Sequence, residues 1–387
     1  MSVTAAAGFV AAGISAGIKT SGNLDLSLVA TADGMAVNAA GVFTRNKMTA
    51  APVITTRAHL ATSGGQAVAV ILNSGNANAA TGDAGLADAE TMCASVGSEF
   101  GVPSEHILVC STGLIGIPMP IDVITAAIPQ VVAARSVSGG EAAATAIMTT
   151  DTKAKQVVVN GDGFVVGGMA KGAAMLSPNM ATMLAVLTTD AAATPAQLKT
   201  ALLFGVADSF NALDVDGCTS TNDTVLLLAS GLAGFIEQDA LNNAVAQACA
   251  SLAAQMCDDA EGATKVVRMT VTGAASDAEA LLGARYVARS NLVKCSWYGC
   301  DPYWGRIASD LGSCGIEFNP ASFSVSYGGV TVCAGAIDCD HDTAAVAQHM
   351  KGRNLDIVAN LGLGSGTGTI LTNDLSHAYI DENMGTS

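Results

Sequence analysis

Thr182 is the residue whose type and position could carry the most distinctive chemistry. It stands between a loop of small residues and an apolar segment, 183–190, that predicts a buried strand. If the peptide bond between Ala181 and Thr182 is cut, Thr182 gains a free α-amine beside its own hydroxyl. An α-amine with a pKa of roughly 7.7–8.0 can accept the hydroxyl proton and so activate the oxygen as a nucleophile. A threonine at the start of a strand also commonly serves only as a cap or a packing residue, and the local sequence leaves both interpretations open.

Two strand ends could supply ligand-facing backbone. The apolar segment 107–110 runs into Ser-Thr-Gly-Leu-Ile-Gly at 111–116, where backbone N–H groups at a turn could stabilise an oxyanion. A second apolar segment, 68–72, precedes a loop rich in Asn and Gly at 73–82. The alternative for both loops is a tight turn that uses the conformational tolerance of these residues.

A longer motif surrounds Thr182 and resembles a known family. Residues 171–184 read Lys-Gly-Ala-Ala-Met-Leu-Ser-Pro-Asn-Met-Ala-Thr-Met-Leu. This is similar to the cleavage-site motif of the ornithine acetyltransferase family, the glutamate N-acetyltransferases of arginine biosynthesis. Further segments resemble the family in the same order: 8–54, 73–82, 111–116, 149–153, 214–224, 259–265 and 299–307. The chain departs from the family pattern at Ala80, Ala174, Cys218 and Tyr303.

The resemblance implies roles for individual residues. It implies self-cleavage between Ala181 and Thr182, with Thr182 as the nucleophile, and an oxyanion hole formed by Thr112 and Gly113. The implied substrate-binding residues are Thr149, Lys171, Thr182, Glu261, Asn383 and Ser387. Thr150 competes with the assignment of Thr149, and the tail appears one residue short for Ser387.

Two of these roles have a clear physical basis. The Glu261 carboxylate would neutralise the side-chain ammonium of an ornithine substrate, and Lys171 could face its α-carboxylate. The five histidines match no catalytic motif.

The reaction that the resemblance implies is a ping-pong transfer of an acetyl group from N-acetylornithine to glutamate, without a cofactor or a metal. Acetyl-CoA would be a second donor if the protein also makes N-acetylglutamate outright. One alternative is a paralogous N-acyltransferase with a different acceptor, since Ala80, Cys218 and Tyr303 depart from the family. Another is an aminopeptidase or amidase that passes the acyl group to water. A binding or scaffold protein would leave the chain uncut.

Composition favours an α/β protein of small, tightly packed residues. Of the 387 residues 50% are hydrophobic, only 4% are aromatic, and 42 are glycine. The resemblance implies stacked β-sheets flanked by helices, the N-terminal-nucleophile-like αββα arrangement, with a smaller C-terminal α/β domain. Cleavage would give an α chain, 1–181, and a β chain, 182–387. Within the β chain, 182–275 would complete the core and 276–387 would form the smaller domain, whose tail returns to the active site. The family assembly is α2β2.

Periodicity predicts the main elements. Helices are predicted at 83–100, 121–134, 141–148, 195–211, 240–256, 276–290 and 342–350, and a hairpin at 156–168. Strands are predicted near 322–327, 330–335, 355–361 and 367–371. The polar loop 214–224 predicts a network that supports the site.

The net charge and the spacing of the cysteines indicate which class of partner and which cellular location to expect. A net charge of −16 without a basic stripe argues against nucleic acid. The ten cysteines follow no metal-binding or disulfide spacing and are predicted to be reduced thiols. Neither a signal peptide nor a membrane span is predicted, which favours a cytoplasmic protein.

Overall fold

A computed structural model of the chain describes residues 2–177 and 183–385. The described chain forms two compact units. The first unit comprises the residues up to Asn211 together with 218–256, and the second comprises 212–217 together with the residues from Cys257 onward.

Strands and helices alternate along the chain. The strands are β1 (Phe9–Ile14), β2 (Leu26–Thr31), β3 (Val37–Phe43), β4 (Gln66–Ala67), β5 (Ala69–Asn76), β6 (Ile107–Leu114), β7 (Lys155–Asn160), β8 (Val165–Lys171), β9 (Leu184–Ala192), β10 (Thr224–Phe235), β11 (Val266–Ala274), β12 (Ser324–Tyr327), β13 (Val330–Ala334), β14 (Ile337–Asp338), β15 (Asn354–Asn360) and β16 (Gly366–Asn373). The helices are α1 (Ala51–Thr62), α2 (Gly82–Phe100), α3 (Ile121–Ala133), α4 (Gly140–Ala146), α5 (Pro195–Ala207), α6 (Gln238–Asp258), α7 (Asp277–Arg289), α8 (Asn291–Tyr298), α9 (Gly305–Ser313), α10 (Thr343–Lys351) and α11 (His377–Glu382).

Two stacked sheets form the centre of the first unit. One sheet has four strands in the order β1-β2-β5-β6, and the other has six in the order β4-β3-β10-β9-β8-β7. Alternate residues of each strand point between the sheets, because side chains alternate along a strand. Val70 and Leu72 of the first sheet share one buried cluster with Val186 and Leu226 of the second.

Helices cover the outer faces of both sheets. Ile71 and Val109 of the four-stranded sheet pack with Met92 of α2 and Ile128 of α3. Helices α5 and α6 lie on the outer face of the six-stranded sheet. Both faces of the central strands are therefore buried, which explains their nearly continuous apolar sequences. This helix–sheet–sheet–helix order confirms the predicted fold class.

The six-stranded sheet contains strands from both sides of the predicted cut. Strand β8 precedes residue 181 and pairs antiparallel with β9, which follows it. Strand β9 runs parallel to β10, and β10 pairs antiparallel with β3 from the N-terminal part. A single break between residues 181 and 182 would thus leave the two pieces joined by the sheet.

The second unit is a smaller α/β structure. Its six strands follow the order β14-β13-β12-β15-β11-β16, and Trp297 and Tyr327 are fully buried in its core. Besides 212–217, the unit takes in the described residues from Cys257 onward and so includes β11. The predicted division of the β chain between residues 275 and 276 stays a prediction.

The sequence patterns do not predict helices α1, α8 and α9. Helix α1 contains the β-branched segment 53–56, which locally favours a strand. Tertiary contacts outweigh this preference: the Thr56 hydroxyl donates to the Val109 carbonyl at 2.7 Å and accepts the Val109 N–H at 2.8 Å. A ring nitrogen of His59 lies 2.7 Å from the Ile107 carbonyl oxygen.

Two further features concern the cysteines and the hydropathy of the helices. All ten cysteines lie within the described residues, and all are free thiols. In the described parts of the chain no helix is both long enough and apolar enough to cross a membrane.

Candidate active site

The segment 218–224 of the first unit holds the residues on either side of 178–182. The Ser177 N–H donates to the Cys218 carbonyl at 3.2 Å, and the Thr219 hydroxyl donates to the Ser177 carbonyl at 2.9 Å. On the other side, the Thr224 N–H donates to the Met183 carbonyl at 2.9 Å. One polar loop therefore fixes both ends of the segment in which the cut is predicted.

Asn222 ties this loop to the four-stranded sheet. Its amide nitrogen donates to the Ala77 carbonyl at 2.5 Å and to the Ser111 carbonyl at 2.9 Å. The Thr221 hydroxyl donates to the Asn222 side-chain oxygen at 2.6 Å and so fixes the orientation of the amide. The loop 218–224 thus joins the ends of the parallel strands β5 and β6 to the start of β9.

The predicted oxyanion residues lie at this junction. Thr112 and Gly113 are near the end of β6, where Gly113 faces Gly75 of β5. Gly113 has a φ of +133°, and a Cβ placed on it would lie 2.3 Å from the Gly75 carbonyl carbon. The close approach of these two backbones requires glycine at position 113.

The asparagine side chains of the loop 73–78 stabilise the turn through hydrogen bonds to backbone groups. The Asn73 side chain donates to the Asn76 carbonyl at 2.9 Å, and the Asn76 side chain donates to the carbonyls of Ile117 and Pro118 at 3.2 and 3.1 Å. Asn78 adopts a left-handed conformation with a φ of 47°. These contacts match the alternative of a tight turn, because the asparagines shape the backbone of the loop.

Asp151 is the centre of a buried charge network. Its carboxylate accepts the Lys155 ammonium at 2.6 Å, the Gly172 N–H at 2.7 Å and the Thr149 N–H at 3.0 Å. Burial by itself would raise the pKa of Asp151, but the charges of Lys171 and Lys155, with the hydrogen bonds from Lys155 and Thr149, lower the pKa to about 2. Asp151 therefore positions Thr149, which is partly buried, and the residue that follows Lys171.

Lys19 lies beside this network, although its sequence context indicates only a solvated charge. It is half-buried, and its ammonium donates to the Met148 carbonyl at 2.7 Å and to the Leu24 carbonyl at 3.0 Å. Burial lowers the pKa of Lys19; Asp25 and Asp151 oppose this effect, and the charge of Lys171 adds to it. The sequence signal for Lys19 was its position in a segment that resembles the family.

Asp223 is a second carboxyl group that sequence reasoning did not single out. It is 1% exposed, and neither of its oxygens makes a hydrogen bond to the described residues. Burial raises the pKa of Asp223 well above its ordinary value, and the nearby groups of Ser220, Met183, Thr44 and Lys171 offset this only in part. Asp223 directly precedes Thr224, the residue that binds Met183.

Glu261 and Asn383 meet in the second unit. The Asn383 amide donates to a Glu261 carboxylate oxygen at 2.8 Å. Helix α11 supports this contact: Gly262 has a φ of +61°, and a Cβ there would lie 2.2 Å from the Tyr379 nitrogen. The predicted substrate residues 261 and 383 are thus neighbours, and the tail is folded up to residue 385.

The remaining predictions concern three residues outside the described chain, the polar loop 214–224 and two departures from the family pattern. Residues Ala181, Thr182 and Ser387 lie outside the described residues. The polar loop 214–224 is divided between the units, because Asp214 belongs to the second unit and pairs with Arg289 at 2.7 Å. Cys218 and Tyr303, which depart from the family pattern, are both exposed.

Comparisons with known proteins identify the family to which the chain belongs. The model of the ArgJ family matches residues 10–385. A curated relative from Mycobacterium leprae, an arginine biosynthesis bifunctional protein ArgJ, is 50% identical over all of this chain and 95% of the relative. The protein of the same name from Streptomyces avermitilis is 46% identical over the full length of both chains. A solved structure of an ornithine acetyltransferase complexed with ornithine, from Mycobacterium tuberculosis, is 45% identical, covers 46% of this chain and 96% of that chain, and has a TM-score of 0.42.

The protein is accordingly an α/β enzyme of the acyltransferase class. The chain belongs to the ArgJ family of arginine biosynthesis, and the resemblance noted in its sequence is confirmed.

Proposed function

We propose that the protein transfers an acetyl group from N-acetylornithine to glutamate through an acyl-enzyme on Thr182. Self-cleavage between Ala181 and Thr182 would create the nucleophile and the two pieces 1–181 and 182–387. The observation that carries the proposal is the bridge made by Asn222. Through it the segment that flanks the predicted cut is hydrogen-bonded to the strand end bearing Thr112 and Gly113.

In the first half-reaction the Thr182 hydroxyl oxygen attacks the acetyl carbonyl carbon, and its proton passes to the α-amine of the same residue. The backbone at Thr112 and Gly113 stabilises the oxyanion. The amide C–N bond then breaks, the departing ornithine nitrogen takes up the proton, and the acetyl ester of Thr182 remains. In the second half-reaction the glutamate amine attacks the carbonyl carbon of this ester and gives a proton to the α-amine of Thr182. The ester C–O bond then breaks, N-acetylglutamate leaves, and the Thr182 oxygen takes up that proton.

The substrate-binding roles follow the charges of the two amino acids. Lys171 would bind the α-carboxylate, which both amino acids carry, and Glu261 would bind the side-chain ammonium of ornithine. The hydrogen bond between Asn383 and Glu261 supports this role, because it holds the carboxylate in one orientation. Thr149 and Ser387 would complete the substrate contacts.

Three further properties belong to the proposal. Acetyl-CoA would be a second acetyl donor, in keeping with the word "bifunctional" in the names of the relatives. The two pieces would assemble as α2β2. A cytoplasmic location is supported by the ten free thiols, since disulfides are rare in reducing compartments.

Intact-mass spectrometry of the purified protein tests the cleavage. We expect two fragments that meet between residues 181 and 182, and a single uncut chain for Thr182→Ala with loss of acetyl transfer. A wild-type chain that stays uncut yet transfers acetyl groups would disprove the mechanism.

Isotope exchange tests the covalent intermediate. Labelled ornithine should enter N-acetylornithine without any glutamate, as a ping-pong mechanism requires. Release of acetate at the rate of ornithine release would instead favour the amidase alternative.

A further inference from the structure

The loop between β1 and β2 is built to hold Lys19 in one place. Asp25 is fully buried, and its carboxylate accepts the backbone N–H groups of Ala16, Ile18 and Lys19 at 2.6, 2.7 and 2.9 Å. A buried carboxylate that accepts three backbone donors fixes the local conformation strongly. The position of Lys19 is therefore determined by the fold.

The Lys19 side chain lies between two segments of the candidate active site. The aliphatic part of Lys19 packs against the end of β5. A Cβ placed on Gly75 would be 3.3 Å from the Lys19 Cγ, and Gly75 faces Gly113 of β6. Its ammonium donates to the carbonyl of Met148, which precedes Thr149. Lys19 thus contacts the end of β5, which pairs with the predicted oxyanion residues of β6, and also the segment of Thr149, the predicted substrate-binding threonine.

The ammonium retains a donor for a ligand. A lysine ammonium has three N–H donors. In the described parts of the chain, the only acceptors of this ammonium are the carbonyl oxygens of Leu24 and Met148. These two neutral acceptors leave its charge and its third N–H available.

Two lysines, Lys155 and Lys171, and two carboxylates, Asp25 and Asp151, surround Lys19, so that one positive charge remains in the group when Lys19 is counted. Lys155 and Lys171 lie around Asp151, and Asp151 already binds the ammonium of Lys155. The charge of Lys171 also repels that of Lys19. Basic residues are scarce in this chain, 17 in 387, so three lysines in one place favour an anionic ligand.

We propose that the Lys19 ammonium binds the side-chain carboxylate of the acceptor amino acid and so selects glutamate over glutamine. The inference rests on the proposed function, in which Lys171 binds the α-carboxylate that both substrates share. Glutamate carries one carboxylate more than N-acetylornithine, and Lys19 is the cation that this second carboxylate requires. A site built to pair a charge discriminates strongly against a neutral analogue of the same shape.

The test compares glutamate with glutamine as acceptors of the acetyl group. In Lys19→Met the ratio of kcat/KM for glutamate to that for glutamine should fall at least about tenfold. Any loss that Lys19→Met causes in the exchange of ornithine into N-acetylornithine should be smaller than its loss of acetyl transfer to glutamate. Lys19→Arg, which keeps the charge, should restore much of the selectivity, and Lys19→Gln, which keeps a donor without the charge, should not.

Lys199→Met is the matched control. Lys199 is also half-buried, burial lowers its pKa, and its ammonium donates to the Gly41 carbonyl at 2.6 Å. Its removal should leave the selectivity unchanged. An unchanged ratio in Lys19→Met, or an equal loss for both acceptors, would overturn the inference and leave Lys19 as an anchor of the loop.

Calorimetry separates this inference from the proposed function. Without an acetyl donor the cleaved enzyme forms no acyl-enzyme, and under these conditions Lys19→Met should weaken glutamate binding at least about tenfold and leave glutamine binding unchanged. That result would stand even if the wild-type enzyme failed to transfer acetyl groups. Equal binding of glutamate by both chains would refute the role of Lys19 and leave the nucleophile untouched.

Discussion

Asp151 and Asp223 are two buried carboxyl groups of the same unit, and the charge of Lys171 favours the ionised form of both. Asp151 accepts three hydrogen bonds, one of them from a buried ammonium, and its pKa is lowered to about 2 against the effect of burial. The donors of Ser220, Thr44 and Met183 lie beside Asp223 without forming well-aligned hydrogen bonds to its carboxyl oxygens, and burial raises its pKa well above the ordinary value.

The two carboxyl groups therefore differ in their partners and not in their burial. A buried carboxylate with several well-aligned donors stays charged and holds structure in place, whereas one whose donors are poorly aligned favours the protonated form. A carboxyl group with a raised pKa, next to a strand that binds Met183, is suited to proton transfer. Asp151 positions residues of the site, and Asp223 is the group whose charge could change during a reaction.

The largest expected effect comes from Asp151→Asn. This change leaves the buried ammonium of Lys155 without its counter-charge, so the free energy of unfolding should fall by about 3–5 kcal/mol. Urea denaturation at pH 7 measures it. Asp190→Asn is the control, because among the residues that the structure describes Asp190 accepts only the backbone N–H groups of Ala7 and Val165. Equal losses for the two variants would show that the ion pair adds nothing to the role of Asp151.

A smaller effect is expected from Lys155→Met. Asp151 would keep the N–H groups of Thr149 and Gly172 and the charge of Lys171, so the loss at pH 7 should be about 1–3 kcal/mol. The contribution of Asp151 is present above its unfolded pKa and is lost as the pH falls toward about 2. The difference between wild type and variant should therefore shrink as the pH falls from about 5 to about 2. A constant difference would mean that Lys155 acts only by packing.

The same contrast shows what the sequence could reveal. The α/β class, the stacked sheets and most helices follow from the spacing of apolar residues and from the resemblance, since a strand buried on both faces has an unmistakable apolar sequence. Helix α1 was missed because its β-branched residues favour a strand, and only contacts with β6 make it helical.

Candidate site residues that lie in a family motif are named from the sequence and stay predictions, but their partners in the fold have no sequence signal. Thr112, Thr149, Lys171 and Glu261 occur in such motifs, whereas the sequence gives no sign that Asn222 bridges two sheets. Likewise, nothing local distinguishes Asp151, which gains three well-aligned donors from 149, 155 and 172, from Asp223, whose nearby donors are not well aligned. Those differences arise from residues that are distant in the chain and meet only in the fold.

The smallest effect, and the sharpest test of the comparison, is the pH dependence of Asp223→Asn. The folded state raises the pKa of Asp223 above its unfolded value, so the group stabilises the fold below an ordinary pKa of 3.8. That contribution is lost as the pH rises through the folded pKa. Asparagine cannot ionise and escapes this loss, so the variant should gain stability over wild type as the pH rises.

Urea denaturation of both proteins at pH 4, 6 and 8 measures the gain, with acetyl transfer assayed on the same samples. A more stable variant that transfers acetyl groups more slowly would show that the unpaired carboxyl group is retained for the reaction. A stability difference that does not change with pH would mean that Asp223 has a partner in the folded protein as effective as those of Asp151. The two carboxyl groups would then be alike, and only the position of Asp223 beside Met183 would distinguish it.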